Sequence, residues 1–253
     1  MEPRFGRLYA SAVLRPLAEQ VVGMLGVRPG ETVCDLICDG GTLGVALGAA
    51  VGRLGTVILV DTDAGLVQPA MGEVSKTGCT VSTRLAMGAA EPLEVSSCDR
   101  VASLCTHGFW DGASPFDVAE RAIRPTGCAA VVTWDTGQPP LHEVVLADAL
   151  RDVNGTRSRF LERCLARVDT VHMSRWEQVT LHDVVRFDGI DSYWAAMVVE
   201  RPLAAELAHE SHDSLRALRG ACRRALEPCT AADGTMRIPI QATLYRTRPH
   251  ARA

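Results

Sequence analysis

Two kinds of residue in this chain could do chemistry: acids that close short apolar runs, and a histidine set among aromatics. The stretch VCDLICDGGTLGVALGAAVGRLGTVILVDTD, from Val33 to Asp63, carries the acids. A short apolar run ends at Asp35, a glycine-bearing turn follows, and a second run, Thr56–Val60, closes at Asp61. An acid closing the second strand of such a unit is a hydrogen-bond partner for ribose hydroxyls. The alternative for Asp61 is a loop acid beside Asp63, which could cap the helix that follows. Asp35 reads either as part of a ligand site or as a structural acid accepting N–H bonds in the turn. Asp39 reads as a ligand contact or as half of an ordinary Asp-Gly turn.

The histidine lies in Cys105-Thr106-His107-Gly108-Phe109-Trp110-Asp111, which follows the fourth apolar run. Imidazole titrates near neutral pH, so His107 is the candidate general acid/base. Asp111 would orient it or cap the helix expected from about Ser114. Phe109 and Trp110 would contact substrate or pack beneath a lid. Trp134, ending the fifth run, either stacks on a substrate or closes the core. His142, His172 and His182 have no paired spacing with carboxylates and are expected on the surface or in a cap. His209 and His212 sit on a polar helix face.

Positioning these residues requires strands near 32–36, 56–60, 80–84, 99–104 and 128–134, with helices between them. An amphipathic helix, Val13–Leu25, leads in. This alternation predicts a doubly wound, mostly parallel α/β sheet, in which ligands sit beyond the carboxyl ends of the strands. Residues from Pro139 to about Trp176 are helical in pattern and would form a lid. Val179–Phe187 and Ile238–Arg246 read as two last strands, joined through a helix from Leu203 to Leu226. We expect a single domain over 1–253, seven strands in all, with helical cap segments near 139–176 and 187–226.

The order of these motifs resembles the class I S-adenosylmethionine-dependent methyltransferases, in particular the small-molecule group related to the ubiquinone-biosynthesis C-methyltransferases. Their first motif reads apolar-Asp-x-Gly-x-Gly-x-Gly. Asp35 matches its acid and Gly41 its last glycine, while Ile37 and Asp39 stand where the first two glycines belong. Gly88-Ala89-Ala90-Glu91-Pro92-Leu93 matches a stretch whose acid holds the adenine amino group, with Ala89 in the acid's place. Arg124-Pro125-Thr126-Gly127 is similar to the family's turn before the fifth strand. Phe187–Arg248 resembles its substrate-covering region and final antiparallel strands. The resemblance implies a Rossmann-like fold and a cofactor site at Asp35, Asp39, Gly41 and Asp61. It also implies substrate-covering aromatics at Tyr193 and Trp194, whose other reading is the apolar face of a cap helix.

Composition narrows the alternatives. The chain has 253 residues, 47% of them hydrophobic, and a net charge of −4, with no basic footprint for nucleic acid. No run approaches a membrane span and the N-terminus lacks a signal-peptide core, so a cytoplasmic protein is expected; Lys76 as the one lysine, with abundant Ala, Gly and Val, suggests a GC-rich bacterial genome. Nine cysteines are scattered without metal-ligand spacing, and no metal is expected. Three departures from the motif, at Ile37, Asp39 and Ala89, touch the methionine, turn and adenine parts of the cofactor site. The expected function is therefore cofactor-independent acid/base chemistry, such as a cyclisation, isomerisation or elimination, on a small natural product. A working methyltransferase and a non-catalytic partner subunit are the alternatives.

Overall fold

The computed structural model describes residues 6–86, 93–105, 110, 114–134, 138–155, 157–166 and 176–247. The chain opens with helix α1 (Arg7–Tyr9), a wide π turn (Ala10–Leu14) and α2 (Arg15–Leu25). Tyr9, Val13, Leu17, Val21 and Leu25 are all buried. Their four-residue spacing lays one apolar stripe along the whole segment. Gly26 ends it with a φ of 59°, the left-handed conformation that glycine adopts without a Cβ penalty.

Strands β1 (Thr32–Leu36), β2 (Thr56–Asp61), β3 (Thr80–Leu85), β4 (Cys98–Leu104) and β5 (Ile123–Trp134) run parallel. Helices α3 (Thr42–Val51), α4 (Ala64–Ser75) and α5 (Pro115–Ala122) connect them. After β5 come α6 (Leu141–Asn154) and α7 (Arg159–Cys164), then β6 (Trp176–Phe187). Helices α8 (Ile190–Trp194), α9 (Leu203–Glu206) and α10 (His212–Ala225) precede β7 (Met236–Thr247). The sheet has seven strands in the order β3-β2-β1-β4-β5-β7-β6. β7 lies antiparallel between β5 and β6. The two faces carry separate apolar clusters, one with Val33, Leu47, Val132 and Trp134, the other with Leu36, Ile37, Val101 and Val131.

The expected sheet is the observed one, and Leu36 pairs with Val60, so Asp35 and Asp61 share its carboxyl edge. Two local readings are corrected. Residues 203–226 form two helices, because Ser211 accepts a bond from Ser214 N at 3.1 Å and starts α10 afresh. Arg124–Gly127 lies within β5 as a bulge, since Cys98 pairs with Ile123 and Arg100 already with Cys128. There Gly127 is pressed so close to Asp99 that an added Cβ would stand 2.7 Å from its carbonyl oxygen. No helix among the described residues is long and apolar enough to cross a membrane.

Candidate active site

The turn after β1 keeps a glycine-like path without the glycines. Ile37 has a φ of 66° and Asp39 of 45°, beside Gly41 at 83°. For a β-branched residue this conformation is an outlier, and such strain persists only where surroundings impose it. The surroundings are visible. Cys38 N donates to Val60 O at 2.8 Å, and Asp39 N to Asp61 Oδ2 at 3.0 Å. The Ile37 side chain is itself buried in the apolar cluster on its face of the sheet.

Asp61 acts here as a staple. Its Oδ2 holds Asp39 N and its Oδ1 holds Asp63 N at 3.0 Å, and the residue is fully buried. Asp63 caps α4 by accepting from Gly65 N at 2.8 Å. Asp35 is buried, and its Oδ2 has no hydrogen-bond partner. Burial pushes its carboxyl up to about 8, a backbone bond from Gly44 opposes the rise, and Asp61 and Asp39 add to it. Asp35 therefore carries a proton near neutral pH. Gly44 permits this packing, since a Cβ there would come within 2.9 Å of Leu59 and Val74.

The space in front of this turn is about 10 Å³, walled by Leu14, Ile37, Asp39, Leu43 and Leu104 with Asp35 at its base. That is room for about one water, against the roughly 300–1,000 Å³ of small-molecule sites. Ile37 and Leu14 line this space, and both carboxylate oxygens of Asp61 accept from backbone N–H groups.

The other expected site residues are divided. His107, Phe109, Asp111 and Ala89 lie outside the described residues. Trp110 packs on the cluster that holds Ile37, whereas Trp134, Tyr193 and Trp194 belong to the opposite face. Tyr193 is fully buried, edge-on to Phe187 at 5.5 Å, with its hydroxyl donating to His142 O at 2.8 Å. Trp194 is half-buried on the same core.

His142 is the chief correction. Expected on the surface or in a cap, it is fully buried, as are Glu143 and Tyr9, and Arg201 nearly so. Arg201 grips Glu143 through two nitrogens, at 2.9 Å to Oε1 and 3.1 Å to Oε2. Its guanidinium stacks over the rings of Tyr9 and Phe160 at 4.5 and 4.6 Å, and also meets Cys164 Sγ at 3.3 Å. Tyr9 Oη reaches Glu143 Oε1 at 2.9 Å and His142 Nε2 at 3.2 Å. Burial holds the His142 imidazole down to about 4, with Glu143 opposing and Arg201 assisting. Burial likewise raises the Tyr9 phenol well above its ordinary value. A sequence signal existed: His142, Val145, Leu146, Ala149 and Leu150 follow the spacing of a buried helical stripe. Among the described residues no group of three or more His, Cys, Asp or Glu could hold a metal.

Comparison with known proteins places this architecture. A protein assigned as a methyltransferase of an antibiotic biosynthesis pathway in Anabaena variabilis superposes with a TM-score of 0.58. It covers 92% of this chain and 96% of its own, at 16% identity. The MccD protein gives 0.56, over 98% and 99%, at 12% identity. The chain has the seven-stranded, Rossmann-like fold of these proteins. In sequence, a methyltransferase-fold chain of this kind is 31% identical over 134 residues to the nocamycin O-methyltransferase of Saccharothrix syringae. That match is 52% of this chain, which spans about half (48%) of the curated relative's length. No protein-family model matches the chain.

Proposed function

We propose that this methyltransferase-fold chain is an enzyme of small-molecule biosynthesis that performs acid/base chemistry without S-adenosylmethionine. One observation carries the reading: Ile37, held at a φ of 66°, and Leu14 line the space beside the turn after β1, which measures only about 10 Å³. The fold's ligand edge would then serve a cyclisation, isomerisation or elimination. His107 would be an acid/base group there and Asp111 its orienting partner. Such chemistry needs one proton taken and another returned, and each positioned group is typically worth about 10²–10⁴-fold.

Calorimetric titration with S-adenosylmethionine tests the proposal. Binding weaker than about 100 μM is expected for the native chain, and tighter binding for the double variant Ile37→Gly, Asp39→Gly. Low-micromolar binding to the native chain would instead support the second reading, a working O-methyltransferase. The likeness to nocamycin O-methyltransferase favours that alternative.

A further inference from the structure

Among the buried polar side-chain atoms without a hydrogen-bond partner, Asp35 Oδ2, Trp134 Nε1 and His142 Nδ1 belong to one region. Asp35 stands near the end of β1, Trp134 closes β5, and His142 meets Trp134 edge-on at 5.6 Å. β1, β4 and β5 are neighbours in the sheet, and their carboxyl ends form the edge where ligands of such folds bind. Each of these atoms has given up water and received no bond in exchange, which is costly.

Residues 6–14 lie across that edge. Leu14 walls the space at Asp35 together with Leu104, from the end of β4. Tyr9 lies against His142, with ring centroids 5.7 Å apart, and its hydroxyl donates to Glu143 Oε1 at 2.9 Å. Arg201 holds Glu143 independently, so Tyr9 is fastened to a post that stays in place without it. A second fastening is at Leu8, whose N–H donates to Glu200 Oε2 at 2.8 Å. Gly6 presses on the same residue, and an added Cβ there would collide with Glu200. Arg7, Leu8 and Ser11 face outward and are exposed.

The backbone of this segment is weakly joined to the rest. It runs through the π turn Ala10–Leu14, and α1 docks against a second π turn, Ala195–Val199. Such turns depart from the α-helical ladder and recur at functional sites. Pro16, at the start of α2, has no N–H to return to the preceding turn, so the joint lacks a backbone bond. Residues 6–14 can then move while α2 stays packed.

We propose that residues 6–14 are a strap hinged at Pro16, closed here over the carboxyl ends of β1, β4 and β5 and lifted to admit a small molecule. Lifting takes Tyr9 and Leu14 off the edge and brings water to the three stranded atoms, which offsets part of the contacts given up. A ligand that binds only the lifted state shifts the balance toward it. Ile37 belongs to the turn, not to the strap, and stays when Leu14 leaves. The inference therefore concerns access to the edge and holds under either reading of the chemistry.

Buried thiols report on the strap. Cys38 lines the space with Leu14, and Cys105 and Cys164 lie close enough to Tyr9 to act on its ionisation. Cys34 and Cys98 belong to the opposite face of the sheet, and all of these cysteines are buried and free. The test labels the native full chain with N-ethylmaleimide and reads a rate for each cysteine by peptide mass spectrometry. Cys38, Cys105 and Cys164 should react at least about tenfold faster than Cys34 and Cys98, because local opening outpaces global unfolding. Sub-denaturing urea should leave the faster rates nearly unchanged and raise the slower ones, since lifting a strap exposes little surface and unfolding exposes much. Tyr9→Phe keeps the ring and removes its hydrogen bonds, and Gly6→Ala disturbs the docking on Glu200 without touching the polar network. Each should speed labelling of Cys38, Cys105 and Cys164 about five- to tenfold. Equal rates for both groups in the wild type, a rise with urea shared by both, or unchanged labelling in the two variants would each overturn the proposal.

Discussion

The turn after β1 and the cluster around His142 lie on one fold and have opposite characters. The turn follows a glycine-like backbone path, with two side chains held in left-handed conformations, and lines only a small space. The cluster carries no recognisable motif, yet it joins helix α1, helix α6 and Arg201 through charge-assisted bonds and leaves His142 Nδ1 without a hydrogen-bond partner. A glycine-like backbone path can therefore be held without glycine, while a buried polar network can collect where no pattern announces it.

The sharpest way to break this contrast is to attack the cluster's ion pair. Arg201→Met strands the Glu143 carboxylate in a dry interior, and removing one partner of a buried pair typically costs about 3–5 kcal/mol. Urea unfolding should show a loss of that size. A change below about 1 kcal/mol would mean that the pair is solvated and the cluster is not the rigid element described.

The next effect belongs to Asp35 and is read against pH. Its folded pKa, near 8, is above that of an unfolded aspartate near 3.9. Folding thus takes up a proton between those values, and this contribution to stability is full below about pH 4 and lost as pH rises through 8. Asp35→Asn removes the ionisation, so its melting temperature should exceed the wild type's at pH 9, with the advantage shrinking toward pH 5. The gain at pH 9 is expected to be about 1–3 kcal/mol, the scale of an uncompensated buried polar group. Parallel stability curves for the two proteins would place Asp35 in water.

The smallest effect is at Ile37. Replacement by glycine relieves roughly 1–2 kcal/mol of left-handed strain but gives up about 1.5–3 kcal/mol of apolar burial. The expected outcome is a near-cancellation, within about 1 kcal/mol, measured by thermal melting. A loss above 3 kcal/mol would show that the side chain, not the backbone, governs the turn.

Much of the architecture was legible in the sequence because strand-ending acids and strand–helix alternation are local signals. Asp35 and Asp61 were placed on one edge by pattern alone, and Asp63 was read as a helix cap. What escaped depends on distant partners. Asp61 offers its oxygens to Asp39 N and Asp63 N, and nothing in its position distinguishes that from a ligand contact. His142 was judged by the absence of carboxylate spacing along the chain, whereas its partners Tyr9 and Arg201 come from far ends of the sequence. The break at Ser211 was in principle readable, since serine before a polar helix start is a capping signal.

Strand order carries one more consequence, for the chain as it is synthesised. Among the described residues β6 has β7 as its sole neighbour in the sheet, along the full register from Trp176↔Thr247 to Phe187↔Met236. Among the described strands β7 is also the last made, and it must enter between β5 and β6. Until residues 236–247 leave the ribosome, β5 presents an open edge and β6 has nothing to pair with. The growing chain thus spends the translation of α8 to α10 with unpaired strand edges on view, the condition under which nascent proteins recruit chaperones or aggregate.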